Sequence, residues 1–286
     1  MVCARRRGIY RLSVPRTSGR ITHMISAGLG IYAIAIPALL FVLLAGTEII
    51  WPCRKLVLGR YPRWRTHALF FATNAIVGRL LSFLVVVGVA ANWADANQFG
   101  ALNLIALPVW VDAIIAFILL DFAVWFQHLI MHRSPYLWRM HAVHHSDRDL
   151  DVTTALRFHP FELIVSTVYK SAIVALLGVP VIVALAFELW LNTNALFNHS
   201  NIRLPRKLER VLRLFLVTPD MHLVHHSTLI DEQKHNFGFA LTVWDRVFGT
   251  YRAESILGAE NQKIGLSNID DARPSGFMWS MKQPIT

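Results

Sequence analysis

The amino-acid sequence predicts an all-α fold, a polytopic membrane bundle of helices with a cytoplasmic helical cap that carries a histidine-built dimetal site. Three observations predict it. The 286 residues are 55% apolar and only 16% charged, and the mean hydropathy of +0.44 is too high for an ordinary water-soluble domain. Several uncharged runs reach the length that crosses hydrocarbon. Thirteen histidines, eight of them in three clusters at helical spacing, stand out in a chain poor in other polar groups.

The elements follow in order. Residues 1–24 form a basic extension with Arg5, Arg6, Arg7, Arg11, Arg16 and Arg20. Met24 is an alternative start, and the stretch also has the Arg- and Ser-containing, acid-free character of a targeting segment. Residues 25–127 are expected to hold transmembrane helices. Ile25 to Thr47 is uncharged and spans about 34 Å as a helix, and Pro37 within it kinks rather than forbids a crossing. A second run extends from Ala68 to Ala91 around Arg79, and a third from Leu102 to Leu129 with Asp112 and Asp121. The run at 163–197 is too long for one crossing and contains Gly178-Val179-Pro180, so it reads as a hairpin of two short spans. Lys170 and Glu188 are expected toward its open ends, where long side chains reach the interface.

Charge sets the expected orientation. Arg54, Lys55, Arg60, Arg63 and Arg65 lie between the first two runs, whereas the next connection has Asp95 and no basic residue. Under the positive-inside rule the first connection is cytoplasmic, which puts the end of the third run on that side too. The hairpin then keeps everything after Phe197 there. The basic stretch at the chain start opposes this orientation. Residues 205–217 read as an amphipathic helix on the membrane surface, with Leu208, Val211, Leu212, Phe215 and Leu216 on one face and Arg206, Lys207, Arg210 and Arg213 around it. The segment 252–286 is polar and mixed, and no function attaches to it. Two cysteines, Cys3 and Cys53, exclude a disulfide scaffold and a thiolate metal cluster. The net charge of +10 is spread between apolar runs, which fits anionic lipid rather than nucleic acid.

The histidine clusters are His128-x-x-x-His132, His141-x-x-His144-His145 and His222-x-x-His225-His226. Residues three and four apart share a helix face, so each cluster directs its imidazoles to one point. Eight or more neutral imidazoles exceed the needs of one tetrahedral ion and point to two ions. No H-E-x-x-H is present, so the zincin pattern is missing. Imidazole suits iron, zinc or copper alike. A bis-histidine haem requires facing histidines within the spans, whereas these crowd the ends of helices. For the second and third clusters to meet, an even number of crossings must separate them, which the hairpin supplies.

The residues from Asp121 to His145, with Pro135-Tyr136-Leu137-Trp138, and then Arg157-Phe158-His159-Pro160, the third cluster with Ser227, Asn236-Phe237-Gly238 and Trp244-Asp245-Arg246-Val247-Phe248-Gly249-Thr250-Tyr251, resemble the fatty acid hydroxylase/sterol desaturase superfamily. The resemblance covers roughly Asp112 to Tyr251 and marks 128–251 as the catalytic region. It implies a non-haem di-iron membrane oxygenase that hydroxylates or desaturates a fatty acyl, sterol or carotenoid-like lipid on the cytoplasmic side of a bacterial inner membrane or the endoplasmic reticulum. It implies His128, His132, His141, His144, His145, His222, His225 and His226 as ligands of two iron ions, and His199 as a ninth. Where relatives carry a second histidine in that segment this chain has none, unless Asn194 stands in. His159 is expected at a helix start, or supporting a ligand; His235 is expected to be solvated or structural, and His23 and His67 to lack a role.

An all-imidazole shell leaves the ions' charge uncompensated, so a carboxylate is expected to accept the far ring N–H of a ligand. Asp121, Asp147, Asp149, Glu162 and Asp220 are near enough in sequence, with Asp121 the favoured one because a carboxylate within an apolar helix is otherwise costly. Pairing with Arg139 or Arg157 is its alternative role. Tyr136, Trp138 and Trp244 read as interfacial aromatics. No nucleotide-binding pattern is present, so electrons are expected from outside, from a b-type cytochrome or a ferredoxin with its reductase. Arg203, Arg206, Lys207 and Arg210 are candidate docking residues, or contacts for lipid phosphates. A pterin-dependent ether-lipid monooxygenase is the second enzyme reading, and a divalent-metal transporter or sensor the reading from another class.

Overall fold

The computed structural model describes residues 19–81, 87–269 and 271–285. The reading of the first residues of the chain as a basic extension lies mostly outside them. Helices α1 (Gly19–Ile50), α2 (Arg60–Leu81), α3 (Val87–Ala96), α4 (Val109–Arg133), α5 (Pro135–His145), α6 (Pro160–Leu177) and α7 (Val181–Asn198) are followed by short helices α8 (Arg206–Leu212), α9 (Pro219–His225), α10 (Ile230–Gln233), α11 (Val243–Val247) and α12 (Phe277–Lys282). Among the described residues there is no strand, only two isolated bridges.

Three helices, α4, α6 and α7, are long and apolar enough to cross a membrane, and Ile34–Ile50 of α1 is a shorter apolar helix. Helices α4, α6 and α7 pack with α3 around a core of Val87, Ala91, Leu120, Val124, Val174 and Phe187, while α1 packs Leu44 and Ala45 against Val152 and Leu196. Outward-facing Ile34, Leu39, Val42, Val109, Trp110 and Leu176 stay exposed, as side chains do when lipid is the solvent.

The run at 163–197 folds as the expected hairpin. Gly178 ends α6 in the left-handed conformation at φ 71°, and Pro180 opens α7. Gly100 lies against this turn, so close that a Cβ there would fall 2.2 Å from the Gly178 amide nitrogen. Backbone meets backbone here, which only a residue without a side chain permits. Lys170 and Glu188 do not reach out toward the interface. They face each other across the hairpin at 2.7 Å, since two opposite charges inside an apolar pair of helices are cheaper joined than apart.

Other readings change. The second run is helical as α2 up to Leu81 and as α3 from Val87, and residues 82–86 between them lie outside the described residues. The third starts seven residues late: Gly100 at φ 110° leads into a short 3₁₀ turn at Ala101–Leu104, and Pro108 caps the start of α4. The surface helix at 205–217 shrinks to Arg206–Leu212, although Leu208 and Val211 remain exposed on it and Phe215 just beyond it. Its Glu209 turns inward to accept from Arg213 and Thr218. The polar C-terminal segment is packed: Phe277 meets Phe70 edge-on at 5.1 Å, and the Ser280 hydroxyl accepts from Arg157.

Candidate metal centre

Four pieces of chain deliver the imidazoles. The last turns of α4 carry His128 and His132. The chain turns sharply at Ser134-Pro135, Pro135 entering α5 at its first turn, where a missing N–H costs nothing. The last turn of α5 then presents His141, His144 and His145. His199 caps the C-terminal end of α7, and α9 with its cap supplies His222, His225 and His226. The nine fall into two groups, His128, His132, His141, His145 and His225 in one and His144, His199, His222 and His226 in the other. Within each, one ring nitrogen per residue lies within 4.8 Å of every other.

The hydrogen bonds fix which nitrogens face inward. Nδ1 of His128 donates to the Phe237 carbonyl at 2.7 Å, Nδ1 of His225 to the His235 carbonyl at 2.8 Å, and Nδ1 of His141 to Glu162 Oε1 at 2.7 Å. A carbonyl can only accept, so Nδ1 carries the proton and Nε2 a lone pair. Yet His128 Nε2 stands 3.0 Å from His141 Nε2 and 3.1 Å from His225 Nε2. The second group repeats this. His144 and His199 donate from Nδ1 to the carbonyls of Arg157 and Ala195, and their Nε2 atoms face each other at 3.0 Å. Lone pairs converging at that distance repel. No hydrogen bond relieves them, but a cation between them does, so the donor set fits two metal ions.

Burial keeps the rings neutral and ready to ligate. It pushes His225 down to about 3 and His199 to about 4. Burial and the neighbouring imidazoles hold His144, His145, His222 and His226 well below the ordinary histidine value. Both ring nitrogens of His145, and Nε2 of His132, are buried with no partner among the described residues. In water-excluded surroundings such atoms call for a ligand.

The residues behind the imidazoles depart from the sequence reading. Asp121 touches no histidine; its carboxylate accepts from Trp244 Nε1 at 2.8 Å. Glu162, in the first turn of α6, is the carboxylate on an imidazole of the first group, that of His141. The main chain orients four more, through carbonyls that no side-chain pattern reveals. Asp147 and Asp149 are taken elsewhere. Arg63, placed by its sequence in the basic connection between the first two runs, is fully buried and binds Asp147 through Nε and Nη2 at 2.8 Å and Asp151 at 2.6 Å. Asp149 caps the amides of Val57 and Leu58. His67, given no role by the sequence, bridges Thr153 at 2.8 Å and Asp147 at 3.2 Å.

His159 accepts from the Phe161 amide at the start of α6. His235 offers its carbonyl rather than its ring to the site. Asn194 donates to the Trp190 carbonyl and joins neither group. Trp138 covers the centre, packing on His132 and His145 at 4.9 and 5.3 Å between ring centroids, whereas Tyr136 is exposed. Substituting Glu162→Gln keeps the shape but removes the charge behind His141. It should weaken metal retention against a chelator by roughly 10–100-fold, measured as iron per chain after dialysis.

A cavity of about 180 Å³ opens beside His128. Val124, Met131, Leu163, Leu191 and Phe239 give it apolar walls, while Asn74, Gln127, Glu162, Ser166 and Lys170 place polar groups along it.

The fatty acid hydroxylase model matches residues 113–250. Over 187 residues the chain is 30% identical to an ornithine lipid hydroxylase of Rhizobium tropici, an alignment covering 63% of this chain and 52% of that protein. It is 31% identical over 149 residues to human alkylglycerol monooxygenase, covering 49% of this chain and 30% of the other. Against human cholesterol 25-hydroxylase it is 28% identical over 141 residues, covering 48% and 49%. The chain thus spans about half or less of the length of these relatives. No solved structure matches it significantly. The matched stretch runs from the first turns of α4 to just past α11 and holds all nine histidines; by that match, residues 113–250 belong to the fatty acid hydroxylase family.

Proposed function

We propose that the chain is a membrane-embedded lipid oxygenase whose nine histidines hold two non-haem iron ions. In this reading it uses dioxygen and two external electrons to hydroxylate or desaturate a fatty acyl, sterol or carotenoid-like lipid. The observation that carries the reading is the set of Nε2 lone pairs turned on one another beside a partly apolar cavity. Bound there, the ions supply the activation of dioxygen that an unreactive C–H bond requires.

The protein supplies the rest. Glu162 and the carbonyls of Phe237, Arg157, Ala195 and His235 hold the ring protons on Nδ1, so that each Nε2 is fixed in direction before anything binds. Trp138, Phe158 and Phe237 pack on the imidazoles and keep water away. The spans α4, α6 and α7 give a lipid access from within the bilayer. The excess of basic residues from Arg54 into the first turns of α2 at Arg65, against a next connection with none, supports a cytoplasmic placement of the site, in a bacterial inner membrane or the endoplasmic reticulum. Exposed Arg206, Lys207 and Arg210 offer a positive face to an acidic b-type cytochrome or ferredoxin.

The similarity to alkylglycerol monooxygenase favours a second reading, an ether-lipid monooxygenase driven by a reduced pterin. Comparing the lipids of cells with and without the gene tests the proposal. A product carrying one more oxygen or two fewer hydrogens is expected, and the iron-loaded protein should reproduce it with either a protein reductase or reduced pterin. Unchanged lipids together with metal flux into vesicles would instead mark a transporter.

A further inference from the structure

The cavity beside His128 is not a plain hydrocarbon slot. Glu162, Ser166 and Lys170 lie at successive four-residue steps on one face of α6, a polar stripe about 12 Å long. Gln127 faces it from α4, accepting from the Ser166 hydroxyl at 3.4 Å, and Asn74 faces it from α2. Three polar atoms on this wall are buried without a partner among the described residues. They are Gln127 Nε2, a donor, and Asn74 Oδ1 and Glu162 Oε2, both acceptors. Gln127 and Glu162 are only 8% and 4% exposed. The other ends of these side chains are held: Asn74 Nδ2 donates to the Phe158 carbonyl at 2.8 Å and Glu162 Oε1 accepts from His141. The remaining atoms are therefore fixed in direction, and buried polar atoms such as these call for a hydrogen-bonding partner.

A bare methylene chain satisfies none of them. A carbonyl or hydroxyl oxygen satisfies Gln127, and an N–H or O–H satisfies Asn74 or Glu162. The cavity volume of about 180 Å³ is below the roughly 300–1,000 Å³ of sites that engulf a whole small ligand, so it takes a segment of a lipid and leaves the remainder in the bilayer. We infer that the segment is the amide- or hydroxyl-bearing part of an amphiphilic lipid, bound by Gln127, Asn74 and Glu162, and that oxidation falls on carbon near that polar group. This rests on the oxygenase reading for its chemistry, but the binding claim can be tested without turnover.

The test uses the full chain in lipid nanodiscs and radiolabelled N-palmitoyl ethanolamine as probe. Ethyl palmitate and octadecane compete against it. The unlabelled amide should compete on the order of tenfold better than the ester, because it alone offers N–H and O–H donors, and the ester better than the hydrocarbon. Gln127→Met, close in size but without a donor, should bring amide and ester toward the hydrocarbon. Asn74→Leu, on a different helix, should narrow the gap between amide and ester. Iron content and helical circular dichroism establish that each variant is folded; if Gln127→Met is not, the wild-type ranking and Asn74→Leu decide. Octadecane competing as well as the amide would overturn the inference, as would an unaltered ranking in folded variants. If binding follows the expected order but no lipid is ever oxidised, the oxygenase reading fails, and with it the position of oxidation, while the binding claim stands. If iron-loaded protein oxidises lipid yet binds all three probes alike, the reverse holds.

Discussion

Replacing His141 or His222 with alanine should abolish lipid oxidation and lower the bound iron from about two ions per chain to one or fewer. One residue is drawn from each group, so the two variants test the two proposed ion positions separately. The expected loss is large because the rings do not act alone. His141 Nε2 faces His128 Nε2 at 3.0 Å, and His222 Nε2 faces His199 Nε2 at 3.0 Å. Removing one ring takes a ligand from its ion and opens a hole in a water-free shell. The helices should survive, since the span core of Val124, Val174 and Phe187 lies apart from these residues. Metal analysis with helical circular dichroism checks both halves of the expectation. Full activity in either variant would remove the basis of the oxygenase reading.

The second large effect is at Arg63. Its guanidinium holds Asp147 and Asp151 in a site with no access to water. Arg63→Met leaves these carboxylates buried with neutral partners such as the His67 ring and threonine hydroxyls in place of a charge, which costs about 3–5 kcal/mol. The loss should show as a lower unfolding temperature and a centre that no longer retains iron, because Asp147 follows directly on the His144-His145-Ser146 end of α5. Acid should act in the same direction. Burial alone would raise the Asp147 carboxyl, but Arg63 and His67 outweigh it and hold it well below its ordinary 3.8. A depressed folded value means the stabilisation is complete above that ordinary value and fades only as pH falls beneath it. Unfolding temperatures that do not change between the wild type and Arg63→Met would show that the cluster contributes no net stability.

What was legible in the sequence was whatever announces itself by periodicity. The hairpin showed through Gly178-Val179-Pro180, and the imidazole sets through their three- and four-residue spacing. The unread parts depend on contacts between distant segments. Arg63 looked like a loop cation because its acidic partners lie more than eighty residues away. Asp121 was favoured as the imidazole's support because a carboxylate within an apolar helix needs a partner, but the partner it meets is Trp244 from α11. Glu162 was among the carboxylates considered, and its place in the first turn of α6, two residues after Pro160, was the available signal. The carbonyls of Phe237, Arg157, Ala195 and His235 left none, since a main-chain oxygen has no residue type.

Those carbonyls bear on metal choice. They orient the imidazoles through the backbone, so the chamber is preshaped and asks little of its guest beyond charge and a taste for nitrogen. Affinity for such donors climbs across the first-row divalent metals toward copper, with iron among the weaker binders. On the proposed di-iron reading, discrimination in favour of iron therefore has to come from cellular supply and order of loading rather than from the pocket, and protein made in a zinc-rich medium would be expected to carry zinc while keeping its shape.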